Sequence, residues 1–283
     1  MREVTEALLE VLDGGGRGAM ATVVRASGST PQQVGARLLL RPSGALVGTV
    51  GGGAIEHAIV EELRACARDG KPRVIVKELM RDLGMCCGGR MEVLVEPVEG
   101  RARLVVFGAG HVAKPTAALA RSVGFRVVIV DDRDELNTLE RFPECERVLA
   151  EPSEASAQIA PTDRDWLLVT THDHRLDEEA LDTYARLPHA YLGVIGSRRK
   201  IYRILQRITQ RRGVPPLDRV YAPVGLALGA VSPEEIAVSI VSELIALRHG
   251  ATARHMRAMD DPALAKVLGG ALTPEAAAQL ERE

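Results

Sequence analysis

A chain of 283 residues exceeds the usual single domain, so two domains with separate cores are expected, and a hydrophobic content of 46% is enough to fill both. Net charge of −2, with 36 basic against 38 acidic residues, gives no electrostatic case for nucleic acid or a membrane surface as partner and leaves specificity to local sites. No apolar run is long enough to span a bilayer, and four irregularly spaced cysteines with no leader-like segment at Met1 predict a reducing cytoplasm.

Val4, Ala7, Leu8, Val11 and Leu12 recur at helical spacing, and Gly14-Gly15-Gly16 ends that helix. Residues 18–26 and 35–41 read as strands, with a turn at Pro42-Ser43-Gly44 and a short strand at 45–49. Residues 56–67 are helical by pattern, and 73–79 and 90–97 return to strand. This predicts a first domain, residues 1–98, of mixed α+β type with a small mixed sheet and covering helices. Turn formers and polar residues cluster at Glu96-Pro97-Val98-Glu99-Gly100, marking a boundary.

A different rhythm follows over 101–250. Leu104–Phe107, Val127–Val130, Trp166–Val169 and Tyr191–Ile195 are short, continuous apolar runs separated by helical stretches, as suits parallel strands buried on both faces. The fold class expected is therefore α/β, with a Rossmann-like parallel sheet as the second domain. Ser232, Pro233 and Glu235 form a capping box, and Ile236, Ile240, Leu244 and Leu247 give the helix behind it one apolar stripe. Residues 251–283 read as a helical tail.

Chemistry is suggested at several glycine-rich turns. Leu83-Gly-Met-Cys86-Cys87-Gly-Gly-Arg90 sets two thiols among glycines, where the backbone reaches unusual conformations and side chains make few packing contacts. A disulfide between adjacent cysteines closes a strained eight-membered ring, so the thiols are presented to a ligand or are two chance thiols in a tight turn. Ser27-Gly-Ser-Thr-Pro31 and Val50-Gly51-Gly52-Gly53-Ala-Ile-Glu56 are rich in residues that expose backbone N–H groups and suit an anion or heterocycle beside the cysteine loop.

Gly108-Ala-Gly110-His111-Val-Ala113 follows a strand and opens a helix, the context of a dinucleotide fingerprint, with Asp131 at the end of the next strand placed to meet a ribose. His111 is a ligand contact or a solvent-facing helix-start histidine. Thr170-Thr171-His172-Asp173-His174 falls at the same sheet edge as a polar pocket wall; as a metal site it lacks a third committed ligand. Gly196-Ser197-Arg198-Arg199-Lys200 offers a cap and basic groups for an anion, or a solvated basic turn. No Gly-x-Ser-x-Gly elbow, Tyr-x-x-x-Lys pair or lysine P-loop is present.

Together these segments resemble the XdhC/CoxI family, accessory factors of molybdenum hydroxylases such as xanthine dehydrogenase. The carriers are Ser27–Pro31, Gly48–Gly53 through Glu56, Cys86–Gly89, Phe107–Val112, Val130–Asp132, Thr171–His174, Gly196–Lys200 and Pro223–Leu226 leading to Pro233–Ala237. The resemblance implies a cytoplasmic, homodimeric carrier that binds molybdenum cofactor, supports its sulfuration by a cysteine desulfurase and inserts it into the apo-hydroxylase. Cys86 and Cys87 are the implied ligands to molybdenum. Gly51, Gly52, Gly53, Glu56, Gly108, Gly110, His111, Asp131, His172, Ser197, Arg198 and Arg199 are the further cofactor-binding candidates. A nucleotide in the Rossmann-like domain is also expected, and an NAD-dependent oxidoreductase is the rival reading. Gly225-Leu-Ala227-Leu-Gly229 departs from the family, which often carries an aspartate there, so no carboxylate role passes to Ala227.

Overall fold

The computed structural model describes residues 1–86, 88–260 and 264. In the first domain α1 (Arg2–Asp13) leads into β1 (Arg17–Ser27), β2 (Arg37–Leu40), β3 (Leu46–Gly48), α2 (Gly53–Asp69), β4 (Arg73–Glu78), α3 (Leu79–Leu83) and β5 (Arg90–Glu99). The sheet order is β3-β2-β1-β5-β4, and every pairing is antiparallel. The expected mixed sheet is thus corrected. β1 to β3, and β4 to β5, follow one another closely along the chain and turn back antiparallel, and β5 closes against β1 in the same sense.

Alternation within strands sets the two faces. Ala19, Ala21, Val23, Leu38 and Leu40 pack under Ile55, Ile59, Leu63 and Cys66 of α2. On the other face Leu39 and Val98 meet Val4, Ala7 and Val11 of α1. β5 runs beyond the expected boundary to Glu99. Pro97 sits opposite Ala19 of β1, past the point where β4 ends its pairing at Val95, so its missing N–H interrupts no ladder.

The second domain comprises β6 (Arg103–Phe107), α4 (Ala113–Ser122), β7 (Arg126–Val130), β8 (Glu146–Val148), α5 (Ser156–Ile159), β9 (Trp166–Val169), α6 (His174–Tyr184), β10 (Tyr191–Val194), α7 (Arg198–Arg212), β11 (Val220–Tyr221) and α8 (Pro233–His249). Its sheet is parallel in the order β11-β10-β9-β6-β7-β8, so direction of growth reverses between β6 and β9. Val105, Phe107, Leu167 and Val169 face the α6 and α7 side, while Leu104, Val106 and Leu168 face α4 and α8. The edge strands β8 and β11 carry no apolar run and were not expected.

The Ser232 capping box is present. Ile240 and Leu244 are buried as expected, but Leu247 is 36% exposed. Beyond it, residues 251–257 form no regular element and Ala258–Asp260 make one 3-10 turn. The rest of the expected helical tail, apart from residue 264, lies outside the described residues.

The two cores contain no shared residue: each cluster of buried apolar side chains belongs to one domain. Between them, Gly100 N–H donates to the Gly16 carbonyl at 3.0 Å and Arg101 N–H to that of Leu12 at 3.2 Å, tying the connection to the end of α1 and the turn that precedes β1.

Candidate functional site

Three glycine-bearing loops of the first domain converge at the far end of β1. The cysteine loop joins α3 to β5, and Ser27 pairs with Arg90 where β1 and β5 meet. Gly89 N–H donates to the Ser29 carbonyl at 3.1 Å, and a Cβ on Gly89 would lie 2.4 Å from that oxygen and 2.7 Å from the Ser27 carbonyl. Only glycine permits this approach. Gly28, with φ of +73°, lies against Gly89 from the other side, and Gly51 stands so close to Pro31 that a Cβ would fall 2.6 Å from its ring. Cys86 is an exposed free thiol at the rim of this cradle. Cys87 lies outside the described residues.

Glu56 holds the third loop in shape. It accepts from the Thr49 hydroxyl, from Val50 N–H at 3.3 Å and from Gly52 N–H at 3.2 Å. The Thr49 bond, opposed by burial and joined by the backbone donors, keeps the Glu56 carboxyl below its ordinary value. The carboxylate therefore occupies N–H groups of the Gly51–Gly53 turn from within. Gly53 itself begins α2, three residues earlier than the sequence pattern suggests.

In the second domain the expected turns gather at the carboxyl edge of the sheet. Gly108, with φ of +113°, passes β6 into its turn so close to β9 that a Cβ would meet the Thr170 carbonyl at 2.4 Å. A Cβ on Gly110 would meet nothing within 4 Å, and His111 is exposed beside it. Asp131 is 2% exposed. It accepts from Ala109 N–H at 2.6 Å and from Arg133 through N–H at 2.9 Å, Nε at 2.8 Å and Nη2 at 2.7 Å. Burial pushes its carboxyl up, and these four donations outweigh burial and hold it below the ordinary value. The acid expected to meet a ribose is thus committed to the glycine turn and to Arg133. Arg141, also absent from the sequence expectations, reaches the Ala109 carbonyl at 3.1 Å.

At β9 and β10 the order is similar. Asp173 caps α6 by accepting from Arg175 N–H at 2.7 Å, leaving His172 exposed and His174 at the first helical position. Ser197 caps α7 as expected, accepting from Lys200 N–H at 3.2 Å, with Arg198 and Arg199 exposed. Lys200 turns inward. Its Nζ donates to Asp177 and, at 3.1 Å, to the Ile195 carbonyl, while Asp177 accepts from the Thr171 hydroxyl at 2.7 Å. A Cβ on Gly196 would strike the Lys200 side chain at 2.7 Å. Sequence reasoning passed over Asp177 and read Lys200 as part of a basic turn; its one available signal was the position of Lys200 three residues after a cap, where a side chain folds back over the helix start.

The two groups are not brought together within one chain. Glu99, Gly100 and the starts of β1 and β6 meet at the junction, facing the starts of β7 and β9. Cys86, Gly51–Gly53 and Glu56 lie at the remote end of one sheet, and Gly108–His111, Asp131, His172 and Ser197–Arg199 at the remote edge of the other. With β1 alone 11 residues long, the gap is tens of ångströms.

Residues 104–244 match the XdhC Rossmann domain, and residues 11–78 match the XdhC and CoxI family. YqeB of Escherichia coli (strain K12) is 36% identical over 241 residues, covering 82% of this chain and 44% of that protein. A probable xanthine dehydrogenase subunit of Bacillus subtilis (strain 168) is 33% identical over 157 residues, covering 55% of this chain and 46% of that protein. The chain thus spans less than half the length of these curated relatives. A crystal structure of a xanthine dehydrogenase from Bacillus halodurans shares the fold, with TM-score 0.50 and 23% identity over 91% of this chain and 97% of the other. With residues of both domains matched in order, the chain belongs to the XdhC and CoxI family.

Proposed function

We propose that this protein takes part in maturing a molybdenum hydroxylase of the xanthine dehydrogenase type, carrying molybdenum cofactor as cargo, presenting it to a cysteine desulfurase and handing it to the apo-enzyme. The observation that carries this reading is the exposed Cys86 thiol beside turns in which Gly51 and Gly89 stand too close to Pro31 and Ser29 to admit a side chain. A thiolate is a soft donor suited to molybdenum, and glycine turns let a flat heterocycle approach their backbone closely. Kinship to a family that includes a probable xanthine dehydrogenase component supports the same partner. The cradle does the holding: Cys86 supplies sulfur, the Ser27–Pro31 and Gly51–Gly53 turns supply close backbone, and Glu56 keeps the latter turn shaped. The protein acts as a carrier, with no proton or hydride transfer asked of it.

Exposed Cys86 has few packing partners, so Cys86→Ala should cost about 1 kcal/mol or less in stability while retention of molybdenum cofactor and activation of an apo-hydroxylase fall together. Melting temperature, bound molybdenum after gel filtration and hydroxylase turnover check this; undiminished retention in Cys86→Ala and in the Cys86→Ala/Cys87→Ala double variant would sink the reading. The remoteness of the cradle from the second sheet's ligand edge further supports a homodimer in which one copy's cradle faces the other's edge. Light scattering should give twice the mass of one chain, and the mass of a single chain at micromolar concentration would refute it. The rival, an NAD-dependent oxidoreductase, draws on the Rossmann sheet order, but Asp131 is committed to Arg133. A nicotinamide titration beside the molybdenum assay separates the two.

A further inference from the structure

We propose that the cleft at the junction of the two domains binds a small phosphate-bearing anion. This site is separate from the cysteine cradle and from the carboxyl edge of the parallel sheet, and it rests on neither reading above. The cleft has a volume of about 1010 Å3, the size of a small-molecule site. Its walls come from the start of β1, the end of β5 and the amino ends of β6, β7 and β9. Six arginines line it, Arg17, Arg101, Arg103, Arg126, Arg164 and Arg248, against three carboxylates, Glu99, Asp163 and Asp165. Glu146, just outside the lining, balances Arg126, so a modest excess of positive charge remains in one concavity of a chain whose net charge is −2, where low-dielectric walls focus it.

The arginines divide into two sets. Four are anchored: Arg17 to Glu99 at 2.5 Å, Arg103 to Asp165 at 2.8 and 2.5 Å, Arg126 to Glu146 at 3.2 Å, and Arg248 to the Val123 carbonyl at 3.0 Å with its guanidinium 4.9 Å from the Phe125 ring centre. They form a fixed floor in which Arg17, Arg103 and Arg126 are balanced by carboxylates and Arg248 is not, while among the described residues the Nε groups of Arg17, Arg126 and Arg248 are buried without a hydrogen-bond partner. Arg101 and Arg164 are exposed at the rim, and among the described residues their guanidinium groups meet no acceptor. Their forked donors match the tetrahedral oxygens of phosphate, which accept several charge-assisted hydrogen bonds at once. Pro42, Ile159 and the half-buried Trp166 add an apolar wall for the body that carries the phosphate.

Trp166 is the chain's single tryptophan, so its emission reports on this cleft. The full chain titrated with inorganic pyrophosphate at physiological salt should show a saturable emission change and one-to-one heat of binding. Arg101→Ala/Arg164→Ala should weaken that binding about tenfold or more, as loss of two charge-assisted contacts requires, with an unchanged melting temperature. No saturable binding below millimolar pyrophosphate, or equal binding by the double variant, would overturn the proposal. So would loss of binding in Arg198→Ala/Arg199→Ala, which would place the anion at the opposite edge of the sheet.

Discussion

Glu56 shows how one side chain ties sequence to the shape of a loop. Placed in the first turn of α2, it reaches back to Thr49, Val50 and Gly52 and closes a loop of three glycines that would otherwise carry a large conformational entropy. Its carboxyl is held below the ordinary 4.5, so the stability it contributes is complete above that value and is lost as pH falls through the lower folded value. Glu56→Gln should therefore cost about 1–2 kcal/mol at neutral pH, and the gap to the wild type should close only below pH 4.5. Urea melts of both proteins from pH 7 to pH 3 check this; a gap that persists to pH 3 would assign the loss to shape and not to charge. The role of Glu56 was readable from the sequence as membership of the loop, but its direction was not, because an acid beside glycines serves equally to meet a ligand or to shape the turn.

At the scale of elements, Asp177 and Lys200 join α6, α7 and the turn after β10. Asp177 is fully buried and the Lys200 side chain is 15% exposed, so the pair has little water to fall back on. Removing one member strands the other, whereas replacing both with apolar or neutral groups of similar shape is tolerated. Lys200→Ala should lose about 3 kcal/mol by chemical denaturation, and Asp177→Asn/Lys200→Met should recover most of it. Equal losses in both variants would show that packing of the lysine stem, not the ion pair, is what joins the helices. The elements themselves were largely legible: α1, β1, α2, β6, β7, β9 and α8 lie within a few residues of their periodic or apolar runs. β8 and β11 were not, since Glu146-Arg147-Val148 and Val220-Tyr221 are strands only because β7 and β10 offer open edges.

For the whole molecule, the separation of cores has a thermodynamic consequence. The parallel sheet is covered on both faces from within residues 103–249, and the antiparallel sheet from within residues 2–99, so each domain has the means to fold alone. Scanning calorimetry should resolve two transitions, and a fragment of residues 101–260 should keep a cooperative melt. A single transition, with the fragment unfolded, would show that the junction carries more stability than its few backbone bonds imply.

The sequence by itself determined the fold class and the places of the glycine turns, because buried parallel strands require continuous apolar runs and tight turns require glycine. It also determined kinship, through spaced motifs such as Gly48–Gly53 and Gly108–Val112, which fall within the matched residues. Only the tertiary structure decided which turns share a site. Spacing along the chain does not say that Ser29 approaches Gly89, that Asp131 is taken by Arg133, or that the cysteine loop and the Gly108–Ala113 turn lie at remote ends of their sheets. Nor does it say that arginines from position 17 to position 248 meet in one cleft. The physical reason is common to all of these. Local pattern sets the conformation of a segment, but a site is made where strands distant in sequence end side by side, and that is fixed by pairing order and domain packing.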